Sequence, residues 1–172
     1  MREVVMKPFA VRQATLSDLD VLIPLFDGYR QFYGKPSDPN AAKSFLRDRF
    51  EHGESVLFLA EQDNRATGFV QLYPSFSSVS LARTYILNDL FVDAGFRRQG
   101  VAGRLIAAAV EYAAALDAVR LTLSTAVINT EAQGLYRTTG WTRDEQFYVY
   151  HFPIPAIEPL NYYCSFDAVI NH

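Results

Sequence analysis

Cysteine is nearly absent: Cys164 stands alone in 172 residues, so the chain cannot be stapled by an internal disulfide. Histidine is scarce too. His52, His151 and His172 are scattered, and no metal-ligand spacing emerges from them. An excess of one charge is also missing. The 16 basic and 19 acidic side chains leave a formal net charge of −3, which argues against a general nucleic-acid binder. There is no long hydrophobic run: the most apolar stretch, residues 101–116, carries Arg104 and Glu111 and is too short for a bilayer. Residues 1–7 lack an apolar core of signal-peptide length, so a cytoplasmic location is expected.

What the chain does have is apolar and aromatic surface. About half of its residues are apolar (49%) and 14% are aromatic, enough for one compact domain with a sizeable core. Residues 8–13 read as a short strand. Ser17 reads as an N-cap before a helix with Leu19, Leu22, Phe26, Tyr29 and Tyr33 on one stripe. Gly34, Pro36 and Pro39 end it, and a second helix is expected over about 40–52. A hairpin follows, with strands at 55–61 and 67–73 around a turn at Asp63-Asn64-Arg65. Residues 74–82 read as a serine-rich connection and 83–92 as a strand. Residues 101–116 form an amphipathic helix and 119–127 an alternating strand. Thr130 and Gln133 have capping-box spacing for a helix ending near Thr139, and residues 141–152 supply the last strands. This order predicts an α/β (α+β) domain with a mixed, mainly antiparallel central sheet of about six to seven strands, flanked by about four helices.

The most informative stretch is 87–105. An apolar strand runs into Arg97-Arg98-Gln99 and then into Gly100-Val101-Ala102-Gly103, which opens a helix. A helix start leaves backbone N–H groups unpaired at the positive end of the helix dipole. That suits a phosphate. Gly100, Ala102 and Gly103 let an anion approach the backbone, and Arg97 and Arg98 add local positive charge to an acidic chain. The N–H groups of residues 98–103 are therefore assigned to a phosphate. The spacing is not that of a nucleoside-triphosphate loop, and a Gly-x-Gly-x-x-Gly dinucleotide fingerprint is absent.

Arg97-x-x-Gly100-x-Ala102 resembles the (Gln/Arg)-x-x-Gly-x-(Gly/Ala) signature of the GNAT superfamily of acyl-CoA-dependent N-acyltransferases. Downstream, Asn129-x-x-Ala132-x-x-Leu135-Tyr136-x-x-x-Gly140-Trp141 is similar to that superfamily's last helix and the strand after it. The resemblance covers roughly residues 9–152, so an acetyltransferase domain is expected over 1–152 and an apolar, proline-containing extension over 153–172. It implies the GNAT fold, in which the strand before the loop and the strand after the next helix run parallel and splay apart. It also implies acetyl-CoA as cofactor. Leu90, Phe91 and Val92 would meet the pantetheine arm, and Arg97, Arg98, Gln99, Gly100, Val101, Ala102 and Gly103 the pyrophosphate. Asn129 and Ala132 would complete the cofactor site, although Asn129 reads equally well as a helix cap or turn residue. No metal is implied.

The implied reaction is attack of a neutral amine on the acetyl thioester. By its place in the second motif, Tyr136 is the general acid for the leaving thiolate; the alternative is a ring packed under the cofactor. The stretch Leu87-Asn88-Asp89-Leu90-Phe91-Val92 resembles polyamine and thialysine acetyltransferases, but Asn88 stands where those carry a glutamate. An amide cannot accept the amine proton. Asp89 is adjacent, yet strand alternation points it to the opposite face. Either a bulge re-aims Asp89 or the proton leaves through ordered water.

Tyr33, Tyr73, Phe76, Asn88 and Arg30 are the expected substrate contacts, because element ends tend to carry binding residues and Arg30 would suit a substrate carboxylate. Tyr29 reads as core packing. The leading function is acetyl transfer to a small primary amine such as a polyamine, diamine or amino acid. A peptide or protein acceptor and a non-catalytic CoA-binding module are the alternatives. Residues 153–172 are proline-broken yet apolar, so they should lie against the domain or against a second copy, as in a homodimer.

Overall fold

The computed structural model describes residues 9–155. Strand β1 is Ala10–Gln13, and a 3₁₀ turn at Leu16–Asp18 leads into helix α1, Leu19–Phe32. The cap differs from the expected Ser17. Thr15 and Asp18 form the capping box, because Asp18 reaches back to the Thr15 amide at 2.8 Å and Arg12 fixes its carboxylate at 2.7 Å. That pairing holds the Asp18 carboxyl down at about 2. Helix α2 is Pro39–Glu51, with the Asp38 side chain accepting from the Ala41 amide at its N-terminus.

Three long strands follow: β2 at Val56–Gln62, β3 at Arg65–Ser77 and β4 at Ala82–Val92. Helix α3 is Val101–Ala115, β5 is Arg120–Thr122 and α4 is Thr130–Thr138. The five strands stand in the order β1-β2-β3-β4-β5, antiparallel except for the parallel β4–β5 pair. Side-chain alternation gives the sheet two apolar faces. Phe58, Val70, Leu72, Tyr85, Leu87 and Val92 pack against Leu105, Ile106 and Ala109 of α3. On the other face Leu57, Leu59 and Phe69 pack against Leu22, Leu25 and Phe26 of α1 and Leu46 of α2. A mixed sheet between helices is the α/β architecture expected.

Three sequence expectations need correction. The hairpin is longer than predicted, since residues 74–77 continue β3 and pair with 82–85 of β4. Beyond Leu72, β3 no longer has β2 beside it, and a proline such as Pro74 is tolerated on an edge of that kind. Asn129 caps α4, as one of its two readings has it, in place of the Thr130–Gln133 box: its Oδ1 accepts the Ala132 amide at 3.2 Å, while Gln133 turns back to the carbonyls of Ala126 and Val127. Residues 141–152 form no strand, so the described residues hold five strands rather than six or seven. By compactness the chain divides after Trp141. In the described part of the second unit, 142–155, a bend at Glu145 and Gln146 is organised by Asp144, whose side chain accepts the amides of Gln146 and Phe147.

The link between α1 and α2 is pinned from beneath. Asp27 is buried and accepts from the Ser37 hydroxyl at 2.6 Å, the Asp38 amide at 2.9 Å, Gln31 Nε2 at 2.9 Å and Arg30 Nη1 at 3.2 Å. The Ser37 hydroxyl and the Asp38 amide hold its carboxyl below the usual range, because hydrogen bonds to a carboxylate favour its charged form. This fixes the end of α1, which borders the site.

Candidate active site

Parallel pairing of β4 with β5 covers only Thr84–Ile86 against Arg120–Thr122. From Leu87 to Val92 the edge of β4 that faces β5 therefore has no strand beside it among the described residues. The strands part where the sequence comparison expected a splay. Above the gap, α3 starts on Gly100, which has φ +83, with no side-chain cap and no acidic residue in the first turn. A Cβ placed on Gly100 or Gly103 would meet no heavy atom within 4 Å. The helix start thus has open space beside it, and its orphan N–H groups carry no side-chain cap.

A cavity of about 380 Å³ lies there. Of the residues expected at the cofactor, Leu90, Phe91, Val92, Arg97, Arg98, Gly100, Val101, Ala102, Gly103, Asn129 and Ala132 line it. Gln99 does not; its Nε2 turns back to the Gly95 carbonyl at 3.2 Å. Phe32, Phe96, Thr125, Glu131 and Leu135 line the cavity as well. Glu131 and Leu135 lie inside the second motif, which is the signal that could have found them.

The two arginines are braced. Arg97 Nε donates to the Val92 carbonyl at 2.9 Å, with its guanidinium 5.6 Å from the Phe91 ring and 5.9 Å from the Phe32 ring. Arg98 Nη1 donates to Glu131 Oε1 at 2.9 Å, joining the start of α3 to the start of α4 at an exposed position. Tyr33 and Tyr136 also line the cavity. Burial raises the Tyr136 phenol above its ordinary value, so it stays protonated across the neutral range.

The position of Asp89 turns on one residue. In the β3–β4 ladder Leu72 pairs with Leu87 and Gln71 pairs with Asp89, so Asn88 is an extra residue without a partner. This is a β-bulge. Its effect shows in the packing: Tyr85 and Leu87 belong to the α3 face, and beyond the bulge Leu90 and Val92 take that face. Asp89 and Phe91 are thereby turned toward α1. Of the two alternatives left open by the sequence, the bulge is the one present. Asp89 is 4% exposed. Burial pushes its carboxyl up, against smaller opposing effects of hydrogen bonds from Tyr29 and Asn88. Asn88 Nδ2 donates to Asp89 Oδ1 at 3.0 Å, so the residue in the glutamate position orients the neighbouring carboxylate.

Tyr29 links this carboxyl to the cavity wall. Its hydroxyl reaches the Asn88 carbonyl at 3.4 Å and its ring stands edge-on to Tyr33 with centroids 5.1 Å apart. Burial and the Asp89 charge both raise its phenol. Tyr73 lies on the same sheet face and is pushed up to about 12, by burial first and then by Asp89. Asp89, Asn88 and Tyr73 do not themselves line the cavity; Asp89 stands behind its wall, with Asn88 and Tyr73 beside it.

Two expected substrate residues do not reach the site. Arg30 is drawn back to Asp27 and to the Pro36 carbonyl, because a partner three positions earlier on the same helix lies within reach. Phe76 pairs with Arg83 far along the hairpin. Six residues of strand separate Arg83 from Asp89, roughly 20 Å, and Phe76 is 70% exposed beneath the Arg83 guanidinium.

Residues 22–141 match the Acetyltransferase (GNAT) family. The chain belongs to that family. It is 47% identical to an uncharacterised N-acetyltransferase, YhfO, of Bacillus subtilis, over 85% of this chain and 98% of the relative. It is 35% identical to a probable acetyltransferase of Haemophilus influenzae, over 69% of this chain and 78% of that one. A crystal structure of a probable acetyltransferase, 47% identical, superposes with a TM-score of 0.82 over 85% of this chain and 98% of the other. The fold is thus the GNAT fold and the protein is an N-acetyltransferase. At 22% identity, an aminoglycoside N-acetyltransferase solved in complex with CoA shares the fold, with a TM-score of 0.71 over 86% of this chain and 96% of the other. Among the described residues no helix is long and apolar enough to cross a membrane, and no three His, Cys, Asp or Glu side chains gather as a metal site.

Proposed function

We propose that this acetyltransferase uses acetyl-CoA to acetylate a primary amine of a small molecule, with Asp89 as general base and Tyr136 as general acid. The observation that carries the reading is the bulge at Asn88, which turns a buried carboxyl toward α1 within reach of Tyr29. The uncapped start of α3, with open space above Gly100 and Gly103, suits the cofactor's pyrophosphate. The unpaired β4 edge at 87–92 suits its pantetheine amides, and Asn129 and Ala132 border the same cavity. Bound acetyl-CoA supplies the electrophilic thioester carbonyl.

The chain's own groups then divide the work. Asp89 attracts a cationic amine and takes one proton from its nitrogen onto a carboxylate oxygen. A raised carboxyl is better matched to that task than an ordinary one, since a base works best near the operating pH. Tyr136 holds a proton on its phenol oxygen for the departing thiolate. Tyr33, on the cavity wall, offers its ring to the body of the amine. With Arg30 engaged by Asp27, substrate recognition loses its candidate partner for a carboxylate, which favours polyamines and diamines over amino acids.

Calorimetry with CoA, followed by thiol release across polyamines, diamines, lysine analogues, aminoglycosides and peptides, tests the reading. Release with small amines, rising with pH as the free amine forms, is the expected result. Turnover with peptides alone would point to a protein acceptor. CoA binding without release from any amine would make the chain a regulatory module. The proposal extends to a cytoplasmic homodimer formed through residues 153–172, most of which lie outside the described residues. Its support is their apolar composition, with Tyr162, Tyr163, Phe166, Val169 and Ile170 among them. Light scattering should give twice the monomer mass for the full chain and the monomer mass once 153–172 are deleted.

A further inference from the structure

Gln71 is a buried polar side chain that the reading above leaves without a task. It is fully buried in the middle of β3, the central strand of the sheet. Its Nε2 donates to the Ser55 hydroxyl at 2.7 Å, while its Oε1 is buried with no hydrogen-bond partner. An unsatisfied buried acceptor destabilises the fold, so its presence calls for a reason. A leucine there would fit the surrounding core of Leu57, Leu59 and Phe69 without that cost.

Register supplies the reason. Gln71 is directly opposite Asp89 in the β3–β4 ladder, and the bulge at Asn88 brings both onto the α1 face. Directly opposed residues on one face of an antiparallel pair have Cβ atoms about 4.5–5.5 Å apart. Without the bulge Asp89 would point to the other face and the two could not meet.

The orphan acceptor thus belongs to the residue directly opposite a carboxyl that gains an O–H when it takes a proton. We propose that Gln71 is a positioning residue that accepts a hydrogen bond at Oε1 from the protonated Asp89 carboxyl, and so steadies the proton taken from the substrate amine. The proposal rests on Asp89 as the base. The balance is simple: one N–H bond of the amine breaks, one O–H bond forms on Asp89, and the new donor finds Oε1. In the ionised state Asn88 Nδ2 and Tyr29 serve the carboxylate. In the protonated state Gln71 serves the acid.

The titratable groups facing Asp89 are few. Tyr29 comes from α1 and Tyr73 from β3, and Tyr33 and Tyr136 approach through Tyr29. Phenols do not titrate in the acid range. Arg49 at the end of α2 and Glu54 before β2 act on Tyr73, and they are closed on one another at 2.6 Å. The titration of Asp89 can therefore be followed as a single event.

The test reads that titration directly, in the free protein, from the carboxyl carbon of Asp89 by NMR. In the wild type the Gln71 side-chain amide should titrate with the same midpoint; a Gln71 signal that stays flat overturns the proposal with no variant needed. Gln71→Met keeps the volume and removes the acceptor. It should lower the proton affinity of Asp89 about tenfold, one hydrogen bond's worth, moving the midpoint about one pH unit down. A midpoint that stays, as for a purely structural residue, or moves up, as for a residue donating to the carboxylate, overturns it. Gln71→Glu places a second carboxyl beside Asp89 and should move the midpoint up; no rise would separate the two side chains. The base reading fails independently, if Asp89→Asn turns over like the wild type.

Discussion

Gly100→Glu is expected to abolish CoA binding. Gly100 is the N-cap of α3 at φ +83, where an L side chain is strained by about 1–2 kcal/mol. That strain alone lowers stability and leaves the fold standing. The larger effect is electrostatic and steric. Nothing lies within 4 Å of a Cβ at this position, so the glutamate side chain would extend into the cavity that Gly100 lines. Its carboxylate would occupy the positive end of the helix, satisfy the orphan N–H groups and repel an incoming pyrophosphate. Gly100→Asn separates the two contributions, since asparagine tolerates the left-handed region and carries no charge. Calorimetry should find weakened binding in Gly100→Asn and none in Gly100→Glu, with both variants folded by circular dichroism. Retained CoA affinity in Gly100→Glu would place the cofactor elsewhere.

The loop was legible because its signal is local. Two arginines, spaced glycines and an amphipathic helix lie within twenty residues, and each element follows from its own residues. The second motif was legible for the same reason, and it brought Tyr136 to the cavity wall. What escaped the sequence depends on partners far along the chain. The bulge at Asn88 is defined by where β3 stands opposite β4, and alternation along β4 alone puts Asp89 on the wrong face. Gln71 has no meaning until that register is known. The extent of the hairpin was hidden by Pro74 and its serines, which mark a turn unless the strand has become an edge. Arg30 is a different case: its tie to Asp27 spans three residues, so the sequence held the information, and the attraction of a free arginine at a helix end obscured it. Residues 141–152 find no ladder partner among the described residues, where β5, only three residues long, pairs with β4 alone.

Tyr136→Phe should lower turnover by roughly 10²–10⁴-fold, the range of a positioned general acid, while CoA affinity stays nearly intact. The argument begins with what the substitution keeps. The ring packs with Leu135 and Trp141 against the α3 face of the sheet, 5.9 Å from the Trp141 ring, and phenylalanine preserves that contact and the cavity wall. Only the hydroxyl is removed. Burial holds its proton more tightly than free tyrosine does, so in the wild type the acid form is present throughout the working pH range and its loss cannot be mimicked by raising the pH. The defect should therefore be flat from neutral to mildly alkaline conditions, whereas the dependence on the amine's own ionisation remains. Single-turnover measurement isolates the step: preloaded enzyme mixed with amine should show the full loss in the chemical phase. It should also be smaller for thioesters whose thiols leave more readily, because a better leaving group needs less protonation. A chemical step at wild-type speed would reduce Tyr136 to a packing residue beneath the cofactor.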